Sequence, residues 1–104
     1  MVPMNLFFGK NKDRPVILCT DVQKYLPKEK RHHYADGRSM AEAAKSWCAA
    51  NGHLPPKIAQ VVGNGALVAA HFEYPTRVWG GGTSMTDVMA FIPSGVIAVE
   101  AKVD

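Results

Sequence analysis

The sequence predicts a mixed α/β fold in which two helices precede a three-stranded sheet. Helical periodicity begins near residue 39, and apolar, β-prone runs dominate the chain after residue 65. Clusters of Gly, Pro and Asn separate these segments, as turns require. The length of 104 residues suits one small domain with a single core, so we expect all elements to pack together.

Residues 1–38 are predicted to form an irregular, basic N-terminal extension. Within it, residues 15–19 (PVILC) are a short β-prone run, and a polar segment over residues 21–26 ends at a proline. Basic side chains outnumber acidic ones over residues 24–38. Such a charge run is ordinarily a solvated connection, and its functional alternative is a surface that contacts phosphate groups. The candidates for phosphate contact are Lys28, Lys30, Arg31 and Arg38.

Two helices are predicted at the start of residues 39–104, the part expected to form the core. Ser39 and Glu42 match the S-x-x-E capping-box pattern, and Gly52 can end the first helix in a left-handed conformation. The second helix is shorter, from residue 55 or 56 to residue 62, with proline in its first turn. The residues on the apolar face of the first helix are Met40, Ala43, Ala44, Trp47 and Cys48.

Three strands are predicted after these helices. They cover residues 66–74, 85–92 and 96–103, and a triple glycine lies between the first two. The link between the second and third strands is only Pro93, Ser94 and Gly95. A link this short predicts a hairpin, in which the two strands are antiparallel neighbours.

The last predicted strand carries two charges in an otherwise apolar run. Glu100 and Lys102 are two residues apart, so their side chains project from the same face of the strand. Charged groups on a buried strand are costly unless they are paired or solvated, which favours a functional role. Asp87 is the acid that the hairpin brings towards them from the preceding strand.

The register of the hairpin decides how these side chains meet. If Ile92 pairs with Gly95 around a two-residue turn, Asp87 lies opposite Glu100 on the same face. A three-residue loop with a glycine bulge would instead set Asp87 opposite Ala101. The sequence leaves both registers open.

Asp87 and the Glu100-Ala101-Lys102 run resemble the D…(D/E)xK signature of the PD-(D/E)XK, or restriction-endonuclease-like, nuclease superfamily. The resemblance implies that Asp87 and Glu100 bind Mg²⁺ or Mn²⁺, and that the backbone carbonyl of Ala101 adds a further metal ligand. It implies that Lys102 positions the attacking water or steadies the phosphate. Glu42 would be an additional acid on the preceding helix.

The predicted core, residues 39–104, is similar to the first half of the αβββαβ core of that superfamily. The second half, a helix and a fourth strand, is missing from the sequence, so we expect a fragment of a longer protein or a core completed by another chain. Thr86 stands where the family name has proline. Arg77, Thr83 and Ser84, which flank the triple glycine, are further candidates for phosphate contact.

The function implied is a magnesium-dependent nuclease, a phosphodiesterase that acts on DNA in preference to RNA. Two alternatives stay open. One is a nucleic-acid-binding module with a nuclease-like fold that does not cut. The other is a self-associating module, a homodimer in which the terminal strand adds to the sheet of the partner.

Composition narrows the cellular setting. The net charge of +3 and the pI of about 9.0 are a mild basic bias, which is compatible with nucleic acid. No apolar run approaches the roughly 20 residues of a membrane span, and the N-terminus lacks a signal-peptide pattern. We therefore expect a cytoplasmic protein without a membrane partner, in which Cys19 and Cys48 are free thiols and His71 is a core residue.

Overall fold

The computed structural model describes residues 5–26, 39–77 and 80–100. These residues form an α+β fold with a four-stranded mixed sheet, so the predicted mixed class is confirmed at this level. The strands lie in the order β1-β2-β3-β4, with β1 parallel to β2 and the other pairs antiparallel. The elements are β1 (Leu6–Phe8), α1 (Asp21–Tyr25), α2 (Ser39–Ala49), α3 (Pro56–Val62), β2 (Ala69–Arg77), β3 (Thr83–Ile92) and β4 (Gly95–Val99).

The described part of residues 1–38 is not an irregular extension, so that prediction is wrong. Leu6–Phe8 are all buried and pair with β2. The β-prone run over residues 15–19 forms no strand, and Pro15 makes an isolated bridge to Phe7. The N-terminal residues are part of the core because β1 adds a strand to the sheet and the apolar side chains after it pack on the sheet. These apolar residues are too few to show a periodic pattern in the sequence. Those in the core cluster are Leu6, Phe8, Val16, Val22 and Leu26.

Both helices of the predicted core form close to the expected bounds. α2 ends at Ala49, and Asn51 and Gly52 follow with φ angles of 54° and 88°. α3 ends at Val62, and the Gly63 that follows has a φ of 99°, the left-handed conformation that glycine adopts readily. Local signals were sufficient here, because capping and helix-ending residues act within a few positions along the chain.

The three predicted strands form an antiparallel meander, with shifted ends. β2 begins at Ala69 and continues through Pro75, which lies opposite Met85, so the strand extends beyond its predicted end at residue 74. Ile92 pairs with Gly95, so the hairpin has a two-residue turn, the first of the two registers considered. The predicted last strand is seen as β4, and its expected residues 101–103 lie outside the described part of the chain.

The two faces of the sheet have different surroundings. Side chains alternate along the strands except beyond Glu73, whose φ is 52°, and the helices supply the rest of the core cluster on one side. We call this side the helix face, and its sheet residues are Leu6, Phe8, Ala70, Phe72, Val88 and Ala90. The other side is the far face, and its residues are Phe7, His71, Asp87, Met89, Phe91, Val96 and Ala98.

Candidate functional site

Asp87 on β3 and Glu100, the residue after β4, occupy matching positions in the β3–β4 hairpin. Val88 pairs with Val99 at the last bridge between β3 and β4. Extending this ladder by one residue sets Asp87 opposite Glu100, which directly follows the strand and is exposed. Residues opposite each other in an antiparallel pair have their Cβ atoms about 4.5–5.5 Å apart, so two carboxylates in these positions can reach one ion.

Asp87 lies on the far face, away from the helices. Its neighbours Thr86 and Val88 are 8% and 0% exposed and point to the opposite side. Asp87 itself is half-buried. The fold therefore holds the backbone of Asp87 by the burial of its neighbours and leaves the carboxylate on a side that the helices do not cover.

Glu73 is a third acid in the same row of the sheet. Phe72 pairs with Val88 and Tyr74 with Thr86, which leaves Glu73 across from Asp87. Glu73 has a φ of 52°, an unusual left-handed conformation for a residue other than glycine. The signal that finds Glu73 is the register of β2 and β3, which the sequence alone did not supply.

These three acids do not form a single metal cage. In the described ranges, no group of three or more His, Cys, Asp or Glu side chains is placed to hold a metal ion. Successive strands lie about 4.8 Å apart, so Glu73 and Glu100 are separated by two spacings, about 10 Å. Asp87 and Glu100 remain a pair of hard oxygen donors, and Mg²⁺ commonly binds one or two carboxylates with water and substrate phosphate as its other ligands. The donor chemistry of this pair fits the implied ion.

Glu42 is not brought to this pair. It is exposed on α2, where its Oε1 lies 3.8 Å from Nζ of Lys45. α2 packs through Ala41, Ala44 and Trp47 into the core on the helix face. The sheet thus separates Glu42 from Asp87.

The predicted phosphate contacts are placed only in part. Arg77 pairs with Thr83 and Thr76 with Ser84 at the end of the β2–β3 ladder, three or four residues along β3 from Asp87. Ser84 is exposed, and its carbonyl accepts a hydrogen bond from Oγ1 of Thr76. The remaining predicted residues lie outside the described ranges: Lys28, Lys30, Arg31, Arg38, Ala101 and Lys102.

A group of aromatic side chains next to the acidic row surrounds His71, which is 4% exposed. Its ring lies 5.2 Å from the Phe7 ring and 5.6 Å from the rings of Tyr74 and Phe91, between centroids. Nδ1 of His71 is 2.8 Å from the carbonyl oxygen of Gly9, so Nδ1 carries a hydrogen and donates a hydrogen bond to this oxygen. The prediction of a satisfied core histidine is confirmed.

A basic loop, residues 9–14 (GKNKDR), begins at the edge of the same acidic row and was not singled out from the sequence. Phe8 pairs with Phe72, and the amide of Gly9 donates a 2.8 Å hydrogen bond to the carbonyl of Phe72, so Gly9 lies beside Glu73. Lys10, Lys12 and Arg14 are exposed.

Cys48 is a free thiol, as predicted, and both cysteines are half-buried against the core. Burial raises the pKa of the Cys48 thiol to about 11, with smaller contributions from Cys19 and Asp21. Cys48 is therefore a protonated, packed thiol at neutral pH and not a nucleophile.

Comparison with known proteins gives a family without an assigned activity. No helix in the described ranges is both long and apolar enough to cross a membrane. No curated protein and no solved structure matches the chain. Residues 15–104 match a family described as a domain of unknown function, DUF6946. This match begins within the N-terminal segment that the sequence alone had separated from the core. Because it spans most of the chain, the protein belongs to the DUF6946 family.

Proposed function

We propose that this protein is a divalent-metal-dependent nuclease that hydrolyses phosphodiester bonds in DNA, with RNA as the less favoured substrate. The observation that carries the proposal is the hairpin register, in which Ile92 pairs with Gly95 and the ladder continues towards Asp87 and Glu100. The three-strand meander after α2 and α3 supports it, because the nuclease resemblance calls for helix followed by three strands.

Asp87, Glu100 and Lys102 each have a defined role in this proposal. Asp87 and Glu100 would hold Mg²⁺ or Mn²⁺, with the carbonyl of Ala101 as a further oxygen ligand. Such an ion acidifies a bound water and neutralises charge that develops on the phosphate. Lys102 would direct that water or offset the same charge with its compact ammonium group. The cytoplasm remains the predicted location.

The test is calorimetric titration of Mg²⁺ and Mn²⁺ into the wild type and two matched variants. Asp87→Asn removes a proposed ligand and keeps the shape of the side chain. Glu42→Gln is the control, because it makes the same kind of change on α2, across the sheet from Asp87. We expect saturable binding to the wild type and to Glu42→Gln, and no saturable binding to Asp87→Asn.

Two results would count against the metal site: no binding of either ion to the wild type, or equal binding to Asp87→Asn. Incubation of a labelled DNA duplex with each ion then tests cleavage. If DNA is bound but not cut in the presence of Mg²⁺ or Mn²⁺, the protein is a binding module with this fold and the nuclease proposal fails.

A second candidate function, self-association, is favoured by the edge of the sheet. β4 (GVIAV) ends the strand order and contains neither a charge nor a proline, the usual protections of an edge strand. Val96 on this strand is 57% exposed. Antiparallel pairing of β4 with β4 of a second copy would cover the exposed edge strand of each copy. Light scattering should then give a dimer mass for the wild type and a monomer mass for Val96→Lys. A monomeric wild type would exclude this function.

A further inference from the structure

We propose that the basic loop, residues 9–14, is a nucleic-acid contact of the Asp87–Glu100 site, gripping the phosphate backbone beside the point of cleavage. The inference rests on the proposed function for its meaning, but its evidence is separate. The loop belongs to a segment that the sequence analysis set apart from the core, and none of its residues was a predicted contact.

The sheet register places the start of the loop in line with the acids. Gly9 is the residue after β1 and lies beside Glu73. Glu73 lies across from Asp87, and Asp87 lies across from Glu100. With about 4.8 Å between neighbouring strands, Gly9 is about 10 Å from Asp87 along this row. A phosphate backbone that crosses the strands at this row passes from the acids to the loop.

The loop has a defined base. The amide of Phe8 donates a 2.9 Å hydrogen bond to the carbonyl of Arg14, which closes the loop across its two ends. The carbonyl of Gly9 accepts the 2.8 Å hydrogen bond from buried His71. Nζ of Lys12 lies 5.9 Å from the centroid of the Phe7 ring, a side chain of the far face. Lys12 is therefore presented on the same side of the sheet as Asp87, whereas the guanidinium of Arg14 lies 5.9 Å from the Phe8 ring at the edge of the helix face.

The cations of the loop are available to an anionic partner. Lys10, Lys12 and Arg14 are exposed, and Asp13 is the acid among them. Within the described part of the chain, no carboxylate forms a salt bridge with any of the three. By contrast, Lys24 and Lys45 each have a carboxylate 3.8–4.0 Å away on their own helices.

The distance suits a nucleic-acid backbone. One DNA strand carries one phosphate per 3.4 Å of helix axis, so 10 Å corresponds to about three nucleotides. The scissile phosphate at Asp87 and Glu100 and a phosphate at the loop would thus belong to one short stretch of a strand. Cations at this place also offset the repulsion between phosphate and the acidic row before a metal ion is bound.

The experiment compares two triple variants that remove the same charge from the basic loop and from the helices. Both reduce the formal net charge from +3 to zero. The loop triple is Lys10→Ala, Lys12→Ala and Arg14→Ala. The matched helix triple is Lys24→Ala, Lys45→Ala and Lys57→Ala, on α1, α2 and α3, and circular dichroism checks that both variants are folded.

Binding is measured by fluorescence anisotropy with a fluorescein-labelled DNA duplex in EDTA, over a series of salt concentrations. We expect the loop triple to bind at least 10-fold more weakly than the wild type. Its plot of log affinity against log salt should be shallower by about 2–3, because each lost phosphate contact removes about 0.9 from the slope. The helix triple should stay within about 3-fold of the wild type, since its charges lie away from the row.

Equal losses in both triples would overturn the proposal, because net charge and not the loop would then control binding. Wild-type affinity in the loop triple, or no binding by the wild type, would overturn it as well. The Asp87→Asn variant keeps this test distinct from the nuclease test. If the wild type and Asp87→Asn bind DNA through the loop but neither cuts, the loop contact stands and the catalytic proposal fails.

Discussion

His71 joins the basic loop to the centre of the sheet, so replacing it should weaken the fold in two separable ways. The ring fills the space among Phe7, Tyr74 and Phe91, with centroid distances of 5.2–5.6 Å. Its Nδ1–H donates to the Gly9 carbonyl over 2.8 Å. His71→Phe keeps an aromatic ring and removes the hydrogen bond, whereas His71→Ala removes both.

The expected costs follow from these contacts. Loss of the hydrogen bond leaves the Gly9 carbonyl short of a partner, which for a buried group costs about 1–2 kcal/mol. Truncation of a buried ring adds the cavity, so His71→Ala should cost about 3 kcal/mol or more. In a domain of this size, each kcal/mol lowers the melting temperature by roughly 4–8 °C, so the two variants should be resolved from each other.

Urea unfolding followed by circular dichroism gives the free energy of unfolding of both variants. His53→Phe is the control, because His53 is exposed and the same substitution there should change stability by less than about 0.5 kcal/mol. If His71→Phe is as stable as the wild type, the bond to Gly9 does not hold the loop. If His71→Ala is no worse than His71→Phe, the aromatic group contributes no packing energy.

Three further predictions concern residues of α1 and α2. Trp47 is 2% exposed in the core, so Trp47→Ala should lower the free energy of unfolding by about 3–5 kcal/mol. A loss below about 1 kcal/mol in urea unfolding would contradict this burial. Asp21 accepts 2.9 Å hydrogen bonds from the amides of Ile17 and Leu18, and the bond from Leu18 is the main reason that its pKa is lowered from 3.8. At neutral pH the wild type should therefore be more stable than Asp21→Asn. This difference in the free energy of unfolding should disappear as the pH falls through the folded-state pKa of Asp21. Burial raises the pKa of Cys48 from 9.0 to about 11, so alkylation of this thiol near pH 8 should be roughly 100-fold slower than alkylation of an unburied cysteine. The rate is measured in a variant that lacks Cys19, and a rate equal to that of an unburied cysteine would contradict the prediction.

The parts of the fold that the sequence predicted are those with local signals. α2 and α3 begin and end where capping, proline and glycine patterns indicate, and the β3–β4 hairpin follows from its short link. β1 was missed because three apolar residues show no period, and their partner in the sheet is β2, more than sixty residues later. Pairing at such a distance depends on tertiary contacts that no local window contains.

The candidate site divides in the same way. Asp87 and Glu100 were found because a hairpin register has only a few options, and the two-residue turn corresponds to one of them. Glu73 and the loop at Gly9 required the order of all four strands, since their nearness to Asp87 is set by strands that are distant in sequence. Glu42 was considered for the site because a helix was expected before the sheet, but the side of the sheet on which that helix packs could not be known.

The separation of the two faces makes loss of function interpretable. Thr86 and Val88 supply buried contacts on the helix face, while Asp87 between them contributes its carboxylate to the far face. A substitution at Asp87 that keeps side-chain volume should therefore leave the helix-face core intact, and a substitution at Val88 should weaken the core without removing a carboxylate. If Asp87→Asn loses metal binding at unchanged stability while Val88→Ala loses stability at unchanged metal affinity in its folded fraction, site and core are independent. If both variants lose both properties together, the acid is part of the packing and the pair is structural.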